Sequence, residues 1–181
     1  MANSADRLYE GVLLLRCQAG DEAAFEELVV GYSPRLRYYL RKMLKDVDRT
    51  EDVLQEVWLQ VLRGLPKLAD PGAFPAWLYR IARNLACRVL RERRPLCSLE
   101  EMDLPEESDD DIRLEEAEYI HAALDELALE HREVLVLHFL EGMTYENIAR
   151  VIGCPVGTVR SRIHYAKRAL RCALERMSGH E

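Results

Sequence analysis

Between Thr144 and Leu170 the chain carries two helical stripes interrupted by a glycine, and this interruption limits the possible fold more than any other feature. Thr144 can cap a short helix whose Ile148, Val151 and Ile152 share one face, with Ala149 small enough for a second helix to cross closely. Gly153 stops that helix. Pro155 or Val156 opens the next, where Val159, Ile163, Ala166 and Leu170 recur at i, i+4, i+7 and i+11 and call for burial. The opposite face presents Gly157, Thr158, Arg160, Ser161, His164, Lys167, Arg168 and Arg171, small or hydroxyl residues first and cations after, with no acid between Asn147 and Leu174. Spacing alone fits a plain helical hairpin with a solvated basic face about as well as a helix-turn-helix. The one-sided charge at the start of the second helix favours DNA, because a recognition helix offers its N-terminal residues to base edges and its cations to phosphates. Thr144, Val156, Gly157, Thr158, Arg160, Ser161, Arg162, His164, Lys167 and Arg168 are the candidate contacts.

Helical periodicity extends along the rest of the chain, and scarcely any alternating β-branched run competes with it, so an all-α fold is expected. A helix over Asp6 to Gln18 shows Leu8, Val12 and Leu15 on one face and stops at Gly20. Asp21 caps a second helix burying Ala24, Phe25, Leu28 and Tyr32, and Ser33-Pro34 reads as the cap and first-turn proline of a third, with Leu36, Leu40, Met43 and Leu44 inside. A fourth, from Thr50 to Arg63, buries Val53, Leu54, Val57, Trp58, Val61 and Leu62. Its other stripe is Asp52, Gln55, Glu56, Leu59 and Arg63, which suits either a partner or plain solvent.

After a loop through Asp70-Pro71-Gly72, a long helix presents Arg80, Arg83, Asn84, Arg88 and Arg91 outward with Glu92 the one acid among them. A solvated helix normally mixes both signs, so this row suits a nucleic-acid backbone. Phe74, Trp77 and Tyr79 nearby can hold unstacked bases or sit in the core, the latter favoured for Trp77. From Pro95 onward eight acids precede the next cation, Arg113, and the segment reads as an acidic, flexible linker. Residues 1–95 and 114–181 then form two small helical domains joined by 96–113. Beyond the linker, helices are expected over Leu114 to Leu127, burying Leu114, Ala117, Ile120, Leu124 and Leu127, and over Glu130 to Leu140, with Val134, Leu135, Leu137 and Phe139 inward.

The net charge of -7 says nothing against a polyanion partner once the charges are seen to be sorted by place. Val12 to Leu15 is too short for a secretory core and nothing approaches membrane-spanning length, so a cytoplasmic protein without membrane insertion is expected. The cysteines, at 17, 87, 97, 154 and 172, form no C-x-x-C pair and suit reduced thiols; a zinc site from Cys172 with His164 or His180 matches no common spacing. No H-E-x-x-H, phosphate-binding glycine loop or Cys/His nucleophile arrangement is present, and neither cofactor, metal nor catalysis is expected.

Glu51-Asp52-Val53-Leu54-Gln55-Glu56-Val57-Trp58, Trp77-Leu78-Tyr79-Arg80-Ile81-Ala82-Arg83-Asn84, and Leu140-Glu141-Gly142-Met143-Thr144-Tyr145 through Pro155-Val156-Gly157-Thr158-Val159-Arg160-Ser161-Arg162 together resemble the extracytoplasmic-function sigma factors of the bacterial sigma-70 family. The resemblance implies a sigma domain 2-like unit and a sigma domain 4-like helix-turn-helix. Asp52, Gln55 and Glu56, with Leu59 in the same stripe, would dock on the clamp helices of core RNA polymerase. Asn84 would hold a flipped base of the melted non-template strand, with the loop Leu68 to Ala73 lining its pocket. Arg80, Arg83, Arg88 and Arg91 would hold the minus-ten strand and duplex, and the contacts must offset the few kcal/mol of lost stacking. Arg160, Ser161, His164 and Arg168 would face the minus-thirty-five duplex, Arg160 being best placed for a bidentate guanine contact. The family implies an anti-sigma factor and a linker threading the polymerase. Leu68-Ala69-Asp70-Pro71-Gly72 departs from a Phe-Arg frequent among relatives, which leaves the flipped base open, and His164-Tyr165 leaves the upstream preference open. The other reading of the same residues is a stand-alone helix-turn-helix regulator with an N-terminal sensing or dimerisation domain.

Overall fold

A computed structural model describes residues 4–93 and 117–178, and among them every regular element is helical. The acidic stretch 96–113, Leu114 and the tail beyond Ser178 lie outside the described residues.

The first helical unit contains α1 (Ser4–Gln18), α2 (Glu22–Leu44), α3 (Val47–Gly64) and α4 (Phe74–Arg93), with short 3₁₀ turns at Leu65–Lys67 and Pro71–Ala73. Asp21 caps α2 by accepting from the Ala24 amide, and Asp46 caps α3 by accepting from Arg49, which starts α3 earlier than Thr50. Thr50 is itself buried and donates its hydroxyl to the Asp46 carbonyl at 2.6 Å.

Two expectations fail here for physical reasons. Ser33-Pro34 does not start a new helix: α2 runs through it unbroken. Ala24, Leu28, Tyr32, Leu36, Tyr39 and Met43 form one continuous inward stripe across the proline, so packing on both sides outweighs the single lost backbone hydrogen bond. Ser33 instead accepts from the Trp58 indole at 3.0 Å, and the Trp58 ring meets Phe25 edge-on. In α1 the packed residues are Leu13 and Leu14, while Leu8, Val12 and Leu15 face outward. A run of four apolar residues covers a whole helical turn, so periodicity cannot choose its inner side. The polar anchors that fix α1 are Tyr9 on Glu27, Tyr32 on Glu10, and Gln18, whose amide donates to the carbonyls of Leu65 and Leu68.

Gly64 is where α3 meets α4 most closely: a Cβ there would lie 2.8 Å from the edge of the Trp77 ring. Trp77 is therefore a packing residue, half-buried against the end of α3.

The second unit contains α5 (Ala117–Glu126), α6 (Leu129–Leu135), a widened turn at Val136–Leu140, α7 (Tyr145–Ile152) and α8 (Val156–Ser178). Thr144 caps α7 by accepting from Asn147, and Gly153 ends it in the left-handed conformation at φ 77°. Val159, Ile163, Ala166 and Leu170 are buried as expected, and α8 lies against α5, α6 and α7. Phe139 departs from its expected inward position. The turn at 136–140 is wound with i→i+5 bonding, Glu141 amide to Val136 carbonyl at 3.1 Å, and this leaves Phe139 and Leu140 exposed.

The two units meet along a polar seam, α4 against α7 and α2 against α6. Glu133, with only 3% of its side chain exposed, accepts from the Tyr39 hydroxyl at 2.8 Å and from Arg83 Nε at 2.9 Å. Arg35 pairs with Glu141 at 2.7 Å, and Lys42 with Asp125 at 2.7 Å. Tyr38 Oη lies 2.6 Å from His121 Nδ1. Burial pushes the Tyr38 phenol up to about 12, with Asp125 adding to it. It raises Tyr39 and Tyr79 still further, beside Glu133 and Glu141 respectively.

Two outcomes follow from this packing. Gly64→Ala should destabilise the chain by about 1–2 kcal/mol through overpacking against Trp77, read as a lower urea midpoint at unchanged slope. Alkaline titration provides the second. Tyrosines of the unfolded chain ionise near 10, below the folded values of Tyr38, Tyr39 and Tyr79. The stability these phenols contribute is therefore complete below about pH 10 and is lost as pH rises toward their folded values. The last phenolate absorbance should appear together with loss of packing; all eight tyrosines titrating smoothly at constant near-ultraviolet dichroism would contradict it.

Candidate nucleic-acid and partner interfaces

On α4, Arg80, Asn84, Arg88 and Arg91 are exposed. At i, i+4, i+8 and i+11 they make one stripe, three cations and an amide along about three turns. Arg83, expected in the same row, lies to the side: its guanidinium is turned into the seam onto Glu133, so the sequence grouping of five becomes four plus one. Phe74 and Tyr79 are sealed in the core, Phe74 edge-on to Tyr32 and Tyr79 edge-on to Tyr39, which rules both out as stacking platforms in this conformation. The loop 68–73 stands beside the start of α4, shaped by Asp70, whose carboxylate accepts from the Gly72 amide at 2.9 Å.

On α3, Asp52, Gln55, Leu59 and Arg63 face outward, and Glu56 is half-buried with Gln60 donating to it at 3.2 Å. Leu62 is exposed as well, contrary to the expected burial, because Val53, Leu54, Val57 and Val61 complete the inner face without it. Leu59 and Leu62 thus form a short apolar strip flanked by carboxylates and an amide. The sequence reading missed this, though the i, i+3 spacing of the two leucines on the polar side of the helix signals it.

In the helix-turn-helix, Gly157, Arg160 and Ser161 are exposed at the beginning of α8, and space around Gly157 is open. Thr158 accepts from the Ser161 hydroxyl through its carbonyl at 3.0 Å. His164, Lys167 and Arg168 continue the face as half-exposed residues, with His164 edge-on to Tyr165 and Lys167 over the Phe139 ring at 5.7 Å. Three expected contacts are otherwise engaged: Thr144 caps α7, Val156 packs on the core, and Arg162 leans toward Glu130 at 3.6 Å. Arg150 and Arg160 help hold Glu146 below the usual carboxylate range, after its own amide and the Thr144 hydroxyl.

Among the described residues, no group of three or more His, Cys, Asp or Glu is placed to hold a metal ion, and no helix is long and apolar enough to cross a membrane. Burial raises the thiols of Cys17 and Cys87 above the usual range, away from the reactive thiolate.

Residues 28–95 match the family model described as Sigma-70 region 2, and residues 117–170 match Sigma-70, region 4. The chain is 36% identical over 180 residues to the RNA polymerase sigma-H factor of Pseudomonas aeruginosa, covering 90% of this chain and 92% of that one. It is 34% identical over 185 residues to the ECF RNA polymerase sigma-E factor of Escherichia coli, covering 92% and 94%. In fold it is similar to CnrH, solved in complex with the cytosolic domain of CnrY, at a TM-score of 0.67 and 24% identity over 92% of this chain and 97% of that one. It is also similar to the sigma factor RpoE of Bartonella quintana, solved with the anti-sigma factor NepR, at 0.65 and 24% over 83% and 96%. The N-terminal half matches a sigma region, so the stand-alone regulator with a sensing or dimerisation domain is not favoured. The chain belongs to the sigma-70 family, as a factor of the extracytoplasmic-function type that directs core RNA polymerase to promoters.

Proposed function

We propose that three surfaces divide the work of initiation. The α3 stripe of Asp52, Gln55, Glu56 and Leu59, extended by Leu62, docks on core polymerase. The α4 stripe of Arg80, Asn84, Arg88 and Arg91 holds the minus-ten element, Asn84 facing a flipped non-template base beside the loop 68–73, and Arg83 joins the row once released from Glu133. The face of α8 led by Arg160 and Ser161, with His164, Lys167 and Arg168 behind, reads the minus-thirty-five duplex. Residues 96–113 connect domains spanning 1–95 and 114–181. The protein works in the cytoplasm, performs no catalysis of its own and is held in check by an anti-sigma factor, as the sigma factor RpoE of Bartonella quintana is captured with the anti-sigma factor NepR.

The observation that carries this assignment is the pair of exposed cation rows on α4 and α8, against an α3 face of mixed charge, Asp52, Glu56 and Arg63, around two exposed leucines. Phosphates select the first two faces, and a protein partner selects the third. Run-off transcription with core enzyme on a randomised promoter pool tests the whole; transcripts starting at no defined site would refute it.

Gln55→Ala combined with Glu56→Ala should weaken core binding by about tenfold or more with helicity intact, since truncating a docking anchor typically removes over about 1 kcal/mol. Unchanged retention on immobilised core enzyme would remove α3 from the docking role. Arg160→Ala should cost about 1–3 kcal/mol, confined to one base pair of the upstream element. An equal loss on every sequence would reassign Arg160 to the phosphate backbone.

A further inference from the structure

We infer that Phe139, in the widened turn before the helix-turn-helix, is a positioning residue for promoter binding, whose ring holds Lys167 ready for the phosphate wall of the upstream duplex. This inference rests on the proposed assignment of the α8 face to the minus-thirty-five element. Lys167 follows Arg160 by seven residues, two helical turns, so the two share one stripe about 10 Å apart. The major groove is about 12 Å wide. A helix that sets Arg160 on a base edge therefore carries Lys167 out to the backbone, where a cation gains by releasing counterions.

An exposed phenylalanine alone says little, since apolar atoms supply much of any protein surface. This one has two defined neighbours. The turn leaves Phe139 55% exposed, Lys167 Nζ stands over its ring at 5.7 Å from the centroid, and the His138 ring meets it edge-on at 4.7 Å. His138 is itself anchored: its Nδ1 donates to the Met143 carbonyl at 3.0 Å, and its ring lies 5.0 Å from that of Tyr145 in the first turn of α7. A ladder of three rings thus runs from α7 to the lysine of α8.

The chemistry of the holder decides what it does for binding. A lysine side chain loses rotamer freedom when it settles on a phosphate, and ordering it beforehand removes part of that loss. A carboxylate in this place would order it too, as Glu130 does for Arg162 at 3.6 Å, but would offset the charge that the phosphate needs. A ring orders the ammonium through its quadrupole and brings no formal negative charge.

The test titrates the full chain with core enzyme on a promoter carrying both elements, at several salt concentrations, with circular dichroism to check helicity. Lys167→Ala should weaken binding and lower the steepness of log affinity against log salt by about 0.9, the share of one phosphate contact. Phe139→Ala should weaken binding about two- to fivefold, by the same factor on promoters with altered upstream sequence, and Phe139→Tyr should keep the wild-type affinity. In the Lys167→Ala background, Phe139→Ala should add no further loss. Retention on immobilised core enzyme without DNA should be unchanged in every variant. A Phe139→Ala loss that adds in full to that of Lys167→Ala, that arises on core enzyme alone, or that Phe139→Tyr shares would overturn the positioning role, as would no loss at all. Should Lys167→Ala itself leave affinity and salt dependence unchanged, the underlying assignment of Lys167 to the promoter face fails first, and the role of Phe139 with it.

Discussion

Glu133 sits almost wholly out of water at the join of the two helical units, and a lone carboxylate there would carry a penalty of several kcal/mol. The Tyr39 hydroxyl and the Arg83 guanidinium relieve it, each from a different helix of the first unit. That shared acceptor ties α2, α4 and α6 together at one point. It also explains why Tyr39 stays protonated far above the ordinary phenol range: burial acts first, and a neighbouring carboxylate disfavours a second negative charge. Around this centre the other pairs, Arg35 with Glu141 and Lys42 with Asp125, are more exposed on at least one side and add alignment more than strength.

Elements governed by local periodicity were legible in the sequence. α7, Gly153 and α8 appear where the apolar spacing puts them, and the buried residues of α8 are those predicted. What failed depended on contacts distant in sequence. Nothing near Pro34 announces that Trp58 will donate to Ser33 or that one stripe will run through the proline. In α1 the choice between Leu13 with Leu14 and Leu8 with Val12 and Leu15 is made by α2 and the 3₁₀ turns, not by α1.

The same division holds for the candidate surfaces. Arg80, Asn84, Arg88 and Arg91, like Arg160 and Ser161, are exposed because helical geometry alone sends them outward. Arg83 and Arg162 were grouped with them on charge, and each is turned toward a carboxylate on another helix, Glu133 and Glu130. One clue was available: Arg132-Glu133 directly precedes the apolar run Val134 to Leu137 and is buried with it, and buried charges require partners. The partner's identity, however, lies fifty residues upstream for Arg83 and farther for Tyr39, beyond any local pattern.

The widened turn at Val136–Leu140 sets the phase of the chain that leaves it toward α7. Such a turn holds one residue more than a regular coil, and an extra residue rotates the downstream chain by about 100°. With ordinary winding Glu141 would swing away from Arg35, and Phe139 would no longer point outward beside Lys167. Taking one residue out of this turn would therefore break the Arg35–Glu141 pair and shift α7 against α4, while α8 stays held by α5 and α6.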